Sequence, residues 1–524
     1  ASLGSPTLDP GAPGARVSMA REGVLVAVAA AVLAASLVGA SAMPQAPLRH
    51  HARTIHRMVM HAREERVREV VGEKDPPATQ WITQPLDHFD ATNDNTYQQR
   101  YYVNDTLWKA GNMKGPVFLY IGGEGAQSPY AIMDGHMVKM AEEHNALMFA
   151  VEHRTYGASV IGPDLTTPNL AHLSSQQALA DLAAFHAFAV GNWQLGDAPW
   201  VCFGGSYPGA LSAFFRLKYP HIVTAAVASS APVLAQLDFQ GYHDVVAASL
   251  AAPVVGGSAQ CAANIKSAFA TIGQCVADPA KRQQLARDFN SCGSLDADND
   301  AMTFQANLAD IFDGVVQYNN ELPGINIEAI CKTMTNASMD PVSNLKALNA
   351  AMLAQGNQKC LDNSYADSIA PVLNTTVDPT ATGVGIRQWT WQTCSQFAYF
   401  QTCEEGTDCL FYPNEGISLK AQLDLCNTAF GVAPASVGAR VNFTNEYYGG
   451  DKTAGSRILF VNGSIDPWHF LSVLKAMGDD EQAIFIDGTA HCANMGSDKA
   501  SDTKALTDAR AQIAKQVTAW LADA

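Results

Sequence analysis

The chain has 524 residues, of which 48% are hydrophobic and 16% are charged, and its formal net charge is −17. This composition excludes an intrinsically disordered chain. The negative charge argues against nucleic acid or an anionic membrane as the main partner. The length suffices for a large core in two or three domains. The 11 cysteines are too few for a small disulfide scaffold, so they raise the question of the redox compartment.

The first methionine, Met19, opens a segment with the features of a secretory signal. A short charged stretch precedes an apolar run over residues 24–38, and residues 40–42 (Ala-Ser-Ala) match the small residues of a cleavage site. We therefore expect residues 19–42 to be a signal peptide and residues 1–18 to be an upstream-translated or artefactual segment. An uncleaved anchor helix is the alternative, although the apolar run is short for a bilayer span.

The residues that follow the signal differ in charge from the rest of the chain. Residues 43–75 contain more basic than acidic residues, and Asp75 with two prolines ends the stretch. We expect residues 43–80 to be a pro-segment or a mobile arm. Four histidines in it could bind a metal, but their irregular spacing favours a solvated tail. These histidines are His50, His51, His56 and His61.

Five Asn-x-Ser/Thr sequons predict N-glycans and agree with a secretory route. The candidate sites are Asn104, Asn336, Asn374, Asn442 and Asn462. Beyond the apolar run near the N-terminus, no stretch approaches the length of a membrane span. We therefore expect no stable membrane anchor after signal cleavage.

From residue 115, apolar strand-like runs alternate with helical stretches in the chain. Such near-continuous apolar runs are typical of buried parallel strands, so we expect an α/β fold. A helical pattern over residues 176–190 separates two of the runs, and a final helix is predicted at about 503–522. The predicted strands lie at 117–121, 146–151, 200–203, 457–461 and 482–486.

A mostly helical segment interrupts this alternation between residues 235 and 400. We expect the α/β core to consist of residues 81–234 and 401–524, with residues 235–400 as an insertion. The amphipathic stretches of the insertion lie at about 262–272, 280–290, 301–317 and 341–356.

A glycine-rich turn, Gly204-Gly-Ser-Tyr-Pro-Gly209, lies between a predicted strand and a predicted helix. Such a turn exposes the hydroxyl of its serine, here Ser206, above the sheet edge. The usual pattern has glycine where this chain has Pro208, and proline is compatible with the first turn of a helix. Tyr207 keeps its backbone N–H and is a candidate oxyanion donor. A helix start with an idle serine is the alternative.

Candidates for the base and its orienting acid follow two later strands. Asp466 comes after the strand at 457–461, and His491 comes after the strand at 482–486. A serine, an acid and a histidine in this order, each on a loop after a strand, are typical of the α/β-hydrolase triad. The histidines that compete less well by position are His221, His243 and His469.

The loop after the strand ending at Ile121 is the expected source of a second oxyanion donor. The backbone N–H of Gly123 or Glu124 fits, and the sequence does not separate them. Glu124 could instead contact a substrate amine or form a structural salt bridge, for example to Arg154. Trp468, two residues after Asp466, is a candidate wall of a flat pocket, with a core tryptophan as the equal alternative.

Together these residues resemble the serine peptidase family of lysosomal prolyl carboxypeptidase, dipeptidyl peptidase II and thymus-specific serine protease. The resemblance runs from about residue 87 to the C-terminal helix, and three stretches look most like the thymus-specific branch. Those stretches are 237–244, 256–261 and 447–450. The shared motifs are Gly122-Gly-Glu-Gly125, Glu152-His-Arg-Thr-Tyr-Gly157, Gln177-Ala-Leu-Ala-Asp181, Gly204-Gly-Ser-Tyr207, Ser229-Ser-Ala-Pro232, Gln392-Thr-Cys394, Asn462-Gly-Ser-Ile-Asp-Pro-Trp468 and Gly488-Thr-Ala-His491.

The resemblance implies an α/β-hydrolase fold with an inserted, mainly helical cap domain. It implies Ser206 as nucleophile, Asp466 as orienter and His491 as base, with no metal and no organic cofactor. The implied activity is that of a serine exopeptidase, of carboxypeptidase or dipeptidyl-peptidase type, cleaving short peptides next to proline. Trp468 would then border a proline-sized pocket.

The implied location is a lysosome or other acidic vesicle, or the outside of the cell, and a homodimer is possible. An esterase or lipase on the same fold is the rival within enzymes, because fold does not fix the substrate. A non-catalytic binding protein is the rival outside enzymes.

The resemblance also implies how the cysteines pair. The expected disulfides are Cys261–Cys331, Cys292–Cys360, Cys394–Cys426 and Cys403–Cys409. Cys202 precedes the serine turn and Cys492 adjoins His491, so we expect both to be free and shielded. Cys275 is left without a partner.

Overall fold

A sheet of eight strands runs through the structure, which is a computed structural model describing residues 50–110, 113–478 and 480–524. The order across this sheet is first, second, fourth, third, fifth, sixth, ninth and tenth strand. The remaining two strands pair with each other. The strands are β1 (Gln80–Pro85), β2 (Thr96–Asn104), β3 (Val117–Ile121), β4 (Leu147–Val151), β5 (Trp200–Gly205), β6 (Ala225–Ser229), β7 (Gln236–Phe239), β8 (Ala398–Gln401), β9 (Ile458–Gly463) and β10 (Glu481–Ile486).

Only β1 and β2 break the parallel arrangement of the large sheet. β1 pairs antiparallel with β2, and β2 pairs antiparallel with β4, whereas β3 to β6, β9 and β10 are parallel to their neighbours and to β4. This topology confirms the α/β-hydrolase fold. Its consequence for the site is that the carboxyl ends of β5, β9 and β10 lie at the same edge of the sheet.

Helices of the described residues flank the large sheet and fill the long connection between β6 and β9. They are α1 (His50–Val71), α2 (Thr106–Ala110), α3 (His136–His144), α4 (Thr167–Leu170), α5 (Ser175–Trp193), α6 (Tyr207–Lys218), α7 (Gly241–Ala251), α8 (Ala259–Ala277), α9 (Pro279–Asp288), α10 (Asp298–Gln317), α11 (Ile327–Met334), α12 (Pro341–Gln355), α13 (Tyr365–Leu373), α14 (Ile386–Gln392), α15 (Leu419–Phe430), α16 (Pro434–Tyr448) and α17 (Lys504–Ala522). Shorter turns of helix lie at Pro129–Ile132, Pro253–Val255, Thr393–Phe397, Glu415–Ile417, Pro467–Leu471 and Ala493–Met495.

Both faces of the sheet are buried at β3 to β6 and β9, where successive side chains point to opposite faces and nearly all of them are buried. On β3, Leu119 belongs to a core with Phe185 of α5. The adjacent Phe118 belongs to a second core with Met140 of α3 and Ile513 of α17. Burial on both faces explains why these strands read as continuous apolar runs in the sequence.

The connection between β6 and β9, residues 230–457, is called the inserted region below. It contains α7 to α16, among them the four amphipathic helices that the sequence predicts, and the parallel pair β7 and β8. The large sheet resumes only at Ile458, beyond the boundary predicted at residue 400. Residues 398–401, at that predicted boundary, form β8 of the small sheet.

Residues 50–71 form α1, a packed helix, so the solvated-tail and mobile-arm alternatives do not hold for them. Ile55 and Val59, four residues apart and therefore on one helix face, are 1% and 0% exposed. His56 Nδ1 lies 2.7 Å from the Tyr318 hydroxyl. Charged residues predominate in the sequence of α1, so the apolar face formed by Ile55 and Val59 was not recognised there. The predicted signal peptide and the residues before it, 1–42, lie outside the described residues.

No helix in the described ranges is long and apolar enough to cross a membrane.

The structure joins eight cysteines in the pairs that the resemblance implies. Cys202 and Cys492 are free and buried, and Cys275 is free and half-buried. Seven of the eight paired cysteines lie at 261–409 and the last at 426, so every bridge belongs to the inserted region. The disulfides are Cys261–Cys331, Cys292–Cys360, Cys394–Cys426 and Cys403–Cys409.

The five sequons differ in their accessibility. Asn336, Asn374 and Asn442 are exposed, and the half-buried Asn104 donates a hydrogen bond to Ile132 O at 2.8 Å. Asn462 is 1% exposed in β9 and its amide donates to a backbone oxygen, that of residue 473, at 3.1 Å. A glycan on Asn462 is incompatible with this packing, so that predicted site is wrong for the folded protein.

Candidate active site

Ser206 lies at the turn between β5 and α6 with a φ of 64° and a ψ of −133°. Non-glycine residues rarely adopt such a conformation, and it costs free energy that the surrounding packing must supply. The chain passes very close to itself on both sides of the serine. A Cβ on Gly204 would lie 2.2 Å from Pro208 O, and a Cβ on Gly209 would lie 2.5 Å from Ser229 O. The glycines are therefore required by close approach.

Pro208, the departure from the usual glycine pattern, occupies the second position of α6. A proline is tolerated there because the first turn of a helix leaves its N–H groups without partners. The ring of Pro208 packs against Gly123 in the loop after β3, where an added Cβ would lie 2.3 Å from Pro208 Cγ. The proline is thus accommodated by a glycine in the facing loop.

Asp466 and His491 meet directly. His491 Nδ1 lies 2.9 Å from Asp466 Oδ1, and the two residues are 4% and 0% exposed. The carboxylate accepts the Nδ1 proton, which leaves Nε2 as the proton-accepting nitrogen. Burial lowers the pKa of His491 and the Asp466 carboxylate raises it, with a net pKa above the ordinary value. Asp466 Oδ1 also accepts the Trp468 N–H at 3.0 Å, which fixes the acid at the start of a helical turn.

Ser229 and Ser230, at the end of β6, hold the serine turn and the histidine loop together. Ser206 N–H donates to Ser229 O at 3.0 Å, and Cys492 N–H donates to Ser230 Oγ at 2.8 Å. In the part of the chain that is described, no hydrogen bond joins Ser206 Oγ to His491. In the sequence, residues 229–232 were recognised only as a motif shared with the family. Nothing in it predicted that Ser229 and Ser230 position the two loops.

Tyr207 is the first residue of α6, and two side chains hydrogen-bond to its hydroxyl. The Tyr207 hydroxyl lies 3.0 Å from His153 Nε2 and accepts a hydrogen bond from Gln392 Nε2 at 2.8 Å. Gln392 belongs to α14, so the inserted region reaches the residue next to Ser206. Burial lowers the pKa of His153 to about 4, which keeps its imidazole neutral near pH 7.

Gly123 and Glu124 lie in the loop after β3, and Gly123 faces Pro208. Burial raises the pKa of Glu124, while a hydrogen bond from its own backbone N–H opposes the change. The suggested salt bridge from Glu124 to Arg154 does not exist, because Arg154 Nε pairs with Asp181 Oδ2 at 2.6 Å. Arg154 and Asp181 belong to two of the shared motifs, so those motifs have a structural role.

Trp468 is half-buried among aromatic side chains beside the histidine. Its ring centroid lies 6.4 Å from that of His491 and 5.7 Å from that of Tyr399. Phe239 and Tyr242 of the inserted region complete the group, at 5.6 and 5.8 Å from Trp468. The tryptophan therefore lies close enough to the histidine to border a substrate.

Gln317, the last residue of α10, contacts the histidine loop and the aromatic group at once. Its backbone oxygen accepts the His491 N–H at 3.1 Å. Its side-chain Oε1 accepts hydrogen bonds from Trp468 Nε1 at 3.0 Å and from the Tyr242 hydroxyl at 2.8 Å. Nothing in the sequence distinguished Gln317, because a glutamine at a helix end belongs to no motif.

The competing histidines lie in other settings. His221 is exposed, and His243 Nε2 pairs with Asp313 Oδ2 at 3.2 Å inside the inserted region. His469 Nδ1 lies 3.2 Å from Gly463 O. Within residues 50–110, 113–478 and 480–524, no group of three or more His, Cys, Asp or Glu side chains could hold a metal ion.

Relatives of known name match most of the chain. It is 40% identical to the thymus-specific serine protease of Mus musculus over 455 residues, which cover 85% of this chain and 88% of that protein. The human protein of the same name is 38% identical over 458 residues, covering 85% and 87%. The lysosomal Pro-X carboxypeptidase of Bos taurus is 28% identical over 466 residues, covering 84% and 88%.

The sheet order, with a strained serine between β5 and α6, defines an α/β hydrolase. Residues 84–513 match the model of the family described as serine carboxypeptidase S28, so the chain belongs to that family. This confirms the predicted family and identifies the protein as a serine-type peptidase, a hydrolase whose substrates are peptides.

Proposed function

We propose that the protein is a serine exopeptidase that cleaves short peptides next to proline, with Ser206, Asp466 and His491 as its catalytic triad. The observation that carries the proposal is the 2.9 Å hydrogen bond between His491 Nδ1 and Asp466 Oδ1 in a loop tied to the serine turn. A buried acid that orients a histidine is the arrangement that activates a serine hydroxyl.

In this proposal His491 Nε2 takes the proton of Ser206 Oγ as the oxygen attacks the peptide carbonyl carbon. The protonated histidine then gives that proton to the leaving amine, and an acyl-enzyme remains. Water, deprotonated by the same histidine, attacks the acyl carbonyl and releases the acid product. Asp466 keeps the Nδ1 proton in place throughout and stabilises the imidazolium.

The oxyanion of each tetrahedral intermediate would accept hydrogen bonds from the Tyr207 N–H and a second backbone N–H. We take the Gly123 N–H as this second donor, with the Glu124 N–H as the alternative. The contact between Gly123 and Pro208 supports this choice, since it holds the two donor loops at a fixed separation.

The preference for proline rests on the aromatic group around Trp468 and on the printed name of one relative. A flat ring beside His491 suits a pyrrolidine ring, which packs well on aromatic faces. The bovine relative is named a Pro-X carboxypeptidase, whereas the names of the nearer thymus-specific relatives state only a serine protease. Glu124 would contact a substrate amine.

We place the protein in the secretory pathway, in a lysosome or other acidic vesicle or outside the cell. Four disulfides support an oxidising compartment. Three exposed sequons, Asn336, Asn374 and Asn442, are available for glycosylation. The location named for the bovine relative agrees with this proposal.

The test is to label the purified protein with a serine-reactive phosphonate and then to assay X-Pro peptides, Pro-X peptides and a short ester between pH 4 and pH 10. The range extends to alkaline pH because the pKa of His491 is raised and its imidazole must be neutral to act as the base. We expect labelling at Ser206 and turnover of at least one class of proline peptide. Absence of labelling at Ser206 would overturn the proposal, and turnover of the ester alone would favour an esterase.

A matched pair of histidine variants sharpens the test. His491→Ala is expected to abolish turnover, while His469→Ala, which changes the histidine closest to Asp466 in sequence, is expected to retain most of it. Equal losses in the two variants would contradict the assignment of His491 as the base.

A further inference from the structure

Helix α1 contacts both sides of the candidate active site. On the side of the inserted region, Arg63 Nη2 of α1 pairs with Glu321 Oε1 at 3.0 Å. On the side of the core, the guanidinium of Arg68 lies 5.1 Å from the ring centroid of Tyr130, in the segment that follows the Gly123 loop. The C-terminal half of α1 therefore contacts both the inserted region and the core.

The N-terminal half of α1 approaches the histidine through Tyr318. His56 Nδ1 is 2.7 Å from the Tyr318 hydroxyl, and the Tyr318 ring lies edge-on to His491 with 6.2 Å between centroids. Burial, followed by the charges of Arg63 and His491, lowers the pKa of His56 to about 4. The buried Ile55 and Val59 fix the same face of α1 against the molecule. A peptide approaching His491 from this side would meet α1.

Glu321, the partner of Arg63, has a second cationic partner outside α1. Glu321 Oε2 also lies 3.5 Å from Lys499 Nζ of the core. If α1 left, Lys499 would still neutralise the carboxylate, so the body would not keep a buried unpaired charge. The arginines of α1 are therefore dispensable partners for Glu321.

The segment that joins α1 to β1, residues 72–79, has the properties of a proteolytic site. It contains no helix or strand, and every residue except Pro77 is exposed. Exposed backbone without regular structure is the preferred substrate of endopeptidases. Cutting it would separate α1 from the body without breaking any strand of the large sheet.

We infer that α1 is an inhibitory pro-segment that covers the active site, and that residues 72–79 are the site at which an endopeptidase cuts to expose it. The inference rests on the proposed function of Ser206. The cut is an ordinary hydrolysis, in which water adds across one peptide bond and leaves a new carboxylate and a new amine. Loss of α1 then opens the approach to His491.

The test replaces residues 72–79 in the full chain by the recognition sequence of a site-specific endopeptidase. The intact protein and the cut protein, freed of α1 by gel filtration, are compared in their rate of phosphonate labelling at Ser206. We expect labelling at least about tenfold faster after cutting, since only the uncovered fraction reacts. Equal rates would overturn the inference and leave the proposed function standing, and labelling of neither form would overturn both.

Two charge reversals on α1 provide a matched control that needs no cutting. Arg63→Glu places a carboxylate against Glu321 and is expected to raise the labelling rate of the intact chain. Arg57→Glu makes the same change at an exposed position of α1 and is expected to leave it unaltered. Equal labelling rates of the two variants would contradict the inference. Equal melting temperatures of the two intact variants would exclude a general loss of stability as the cause.

Discussion

The hydrolase core and the inserted region contribute to the site in different ways. The core supplies Ser206, Asp466 and His491 from the loops that follow β5, β9 and β10. The inserted region supplies Gln317 and Gln392, which bond the His491 loop and the Tyr207 hydroxyl. In the proposed mechanism the core therefore carries the reacting groups, and the inserted region orients them. Changes in the core should therefore reduce activity by much larger factors.

The largest effect is expected from Asp466→Asn. It should lower kcat by about 10⁴, because the amide favours the wrong tautomer of His491. It should also move the acid limb of kcat/KM to lower pH, because Asp466 raises the pKa of His491 and burial alone lowers it. The activity needs neutral His491 and is lost as the pH falls through that pKa. The pH profile checks this, and the exposed Asp487→Asn is the control that should keep both values.

The second-largest loss of activity is expected when the contact between Gly123 and Pro208, in the two proposed oxyanion loops, is disturbed. Gly123→Ala places a Cβ 2.3 Å from Pro208 Cγ, so the loops must separate. We expect a fall in kcat of about 10², the size of the loss of one oxyanion donor. The double variant Gly123→Ala, Pro208→Gly lacks the proline ring, so we expect its kcat to recover part of the loss. If the double variant is no better than the single one, the contact does not set the geometry.

A smaller effect, in the inserted region, is expected from Gln317→Met. Methionine keeps the volume but leaves Trp468 Nε1 and the Tyr242 hydroxyl without the oxygen that accepts their hydrogen bonds. An unsatisfied buried donor costs about 1–3 kcal/mol, so we expect kcat/KM to fall by about tenfold, mainly through KM. Gln317→Glu retains the acceptor and should restore KM. Identical KM values in the two variants would show that the inserted region does not orient the aromatic group.

The smallest effect on activity is expected from the disulfides, whose loss should reduce stability instead. Cys261–Cys331 closes a separation of 70 residues and Cys403–Cys409 one of 6. Loop entropy predicts that replacing these pairs by alanine costs about 4 and about 2 kcal/mol of unfolding free energy. Denaturant unfolding of the two double variants measures the difference, and all four cysteines are buried, so the comparison is matched. A larger loss for the short loop would contradict the entropic account.

The sequence predicted the parts of the fold whose signals are local. β3, β4, β5 and β9 are buried on both faces, so they appear as short apolar runs between glycine and polar residues. The edge strand β10 is only partly buried, but its residues 483–486 also form an apolar run. β6 consists of alanines and a valine with a terminal serine, and its composition resembles that of a helix. β7 and β8 pair across the length of the inserted region, and no local pattern announces a pairing between such distant segments.

The same distinction applies to the site. Ser206, Asp466 and His491 each follow an apolar strand in the order typical of this fold, so the sequence marks them. Gln317 acts through a backbone oxygen and an amide, and both roles depend on where α10 ends in space. The packing of α1 was missed because Ile55 and Val59 are outnumbered by charged neighbours, and a stripe of two residues is too short to define a periodic pattern.

Ser229 and Ser230 have a consequence for the tolerance of the site to movement. One residue of this pair bonds the backbone of Ser206, and its neighbour bonds the backbone of Cys492, next to His491. A small shift of β6 therefore displaces both loops in the same direction. The distance between the Ser206 hydroxyl and the His491 imidazole then changes little, because both loops move together.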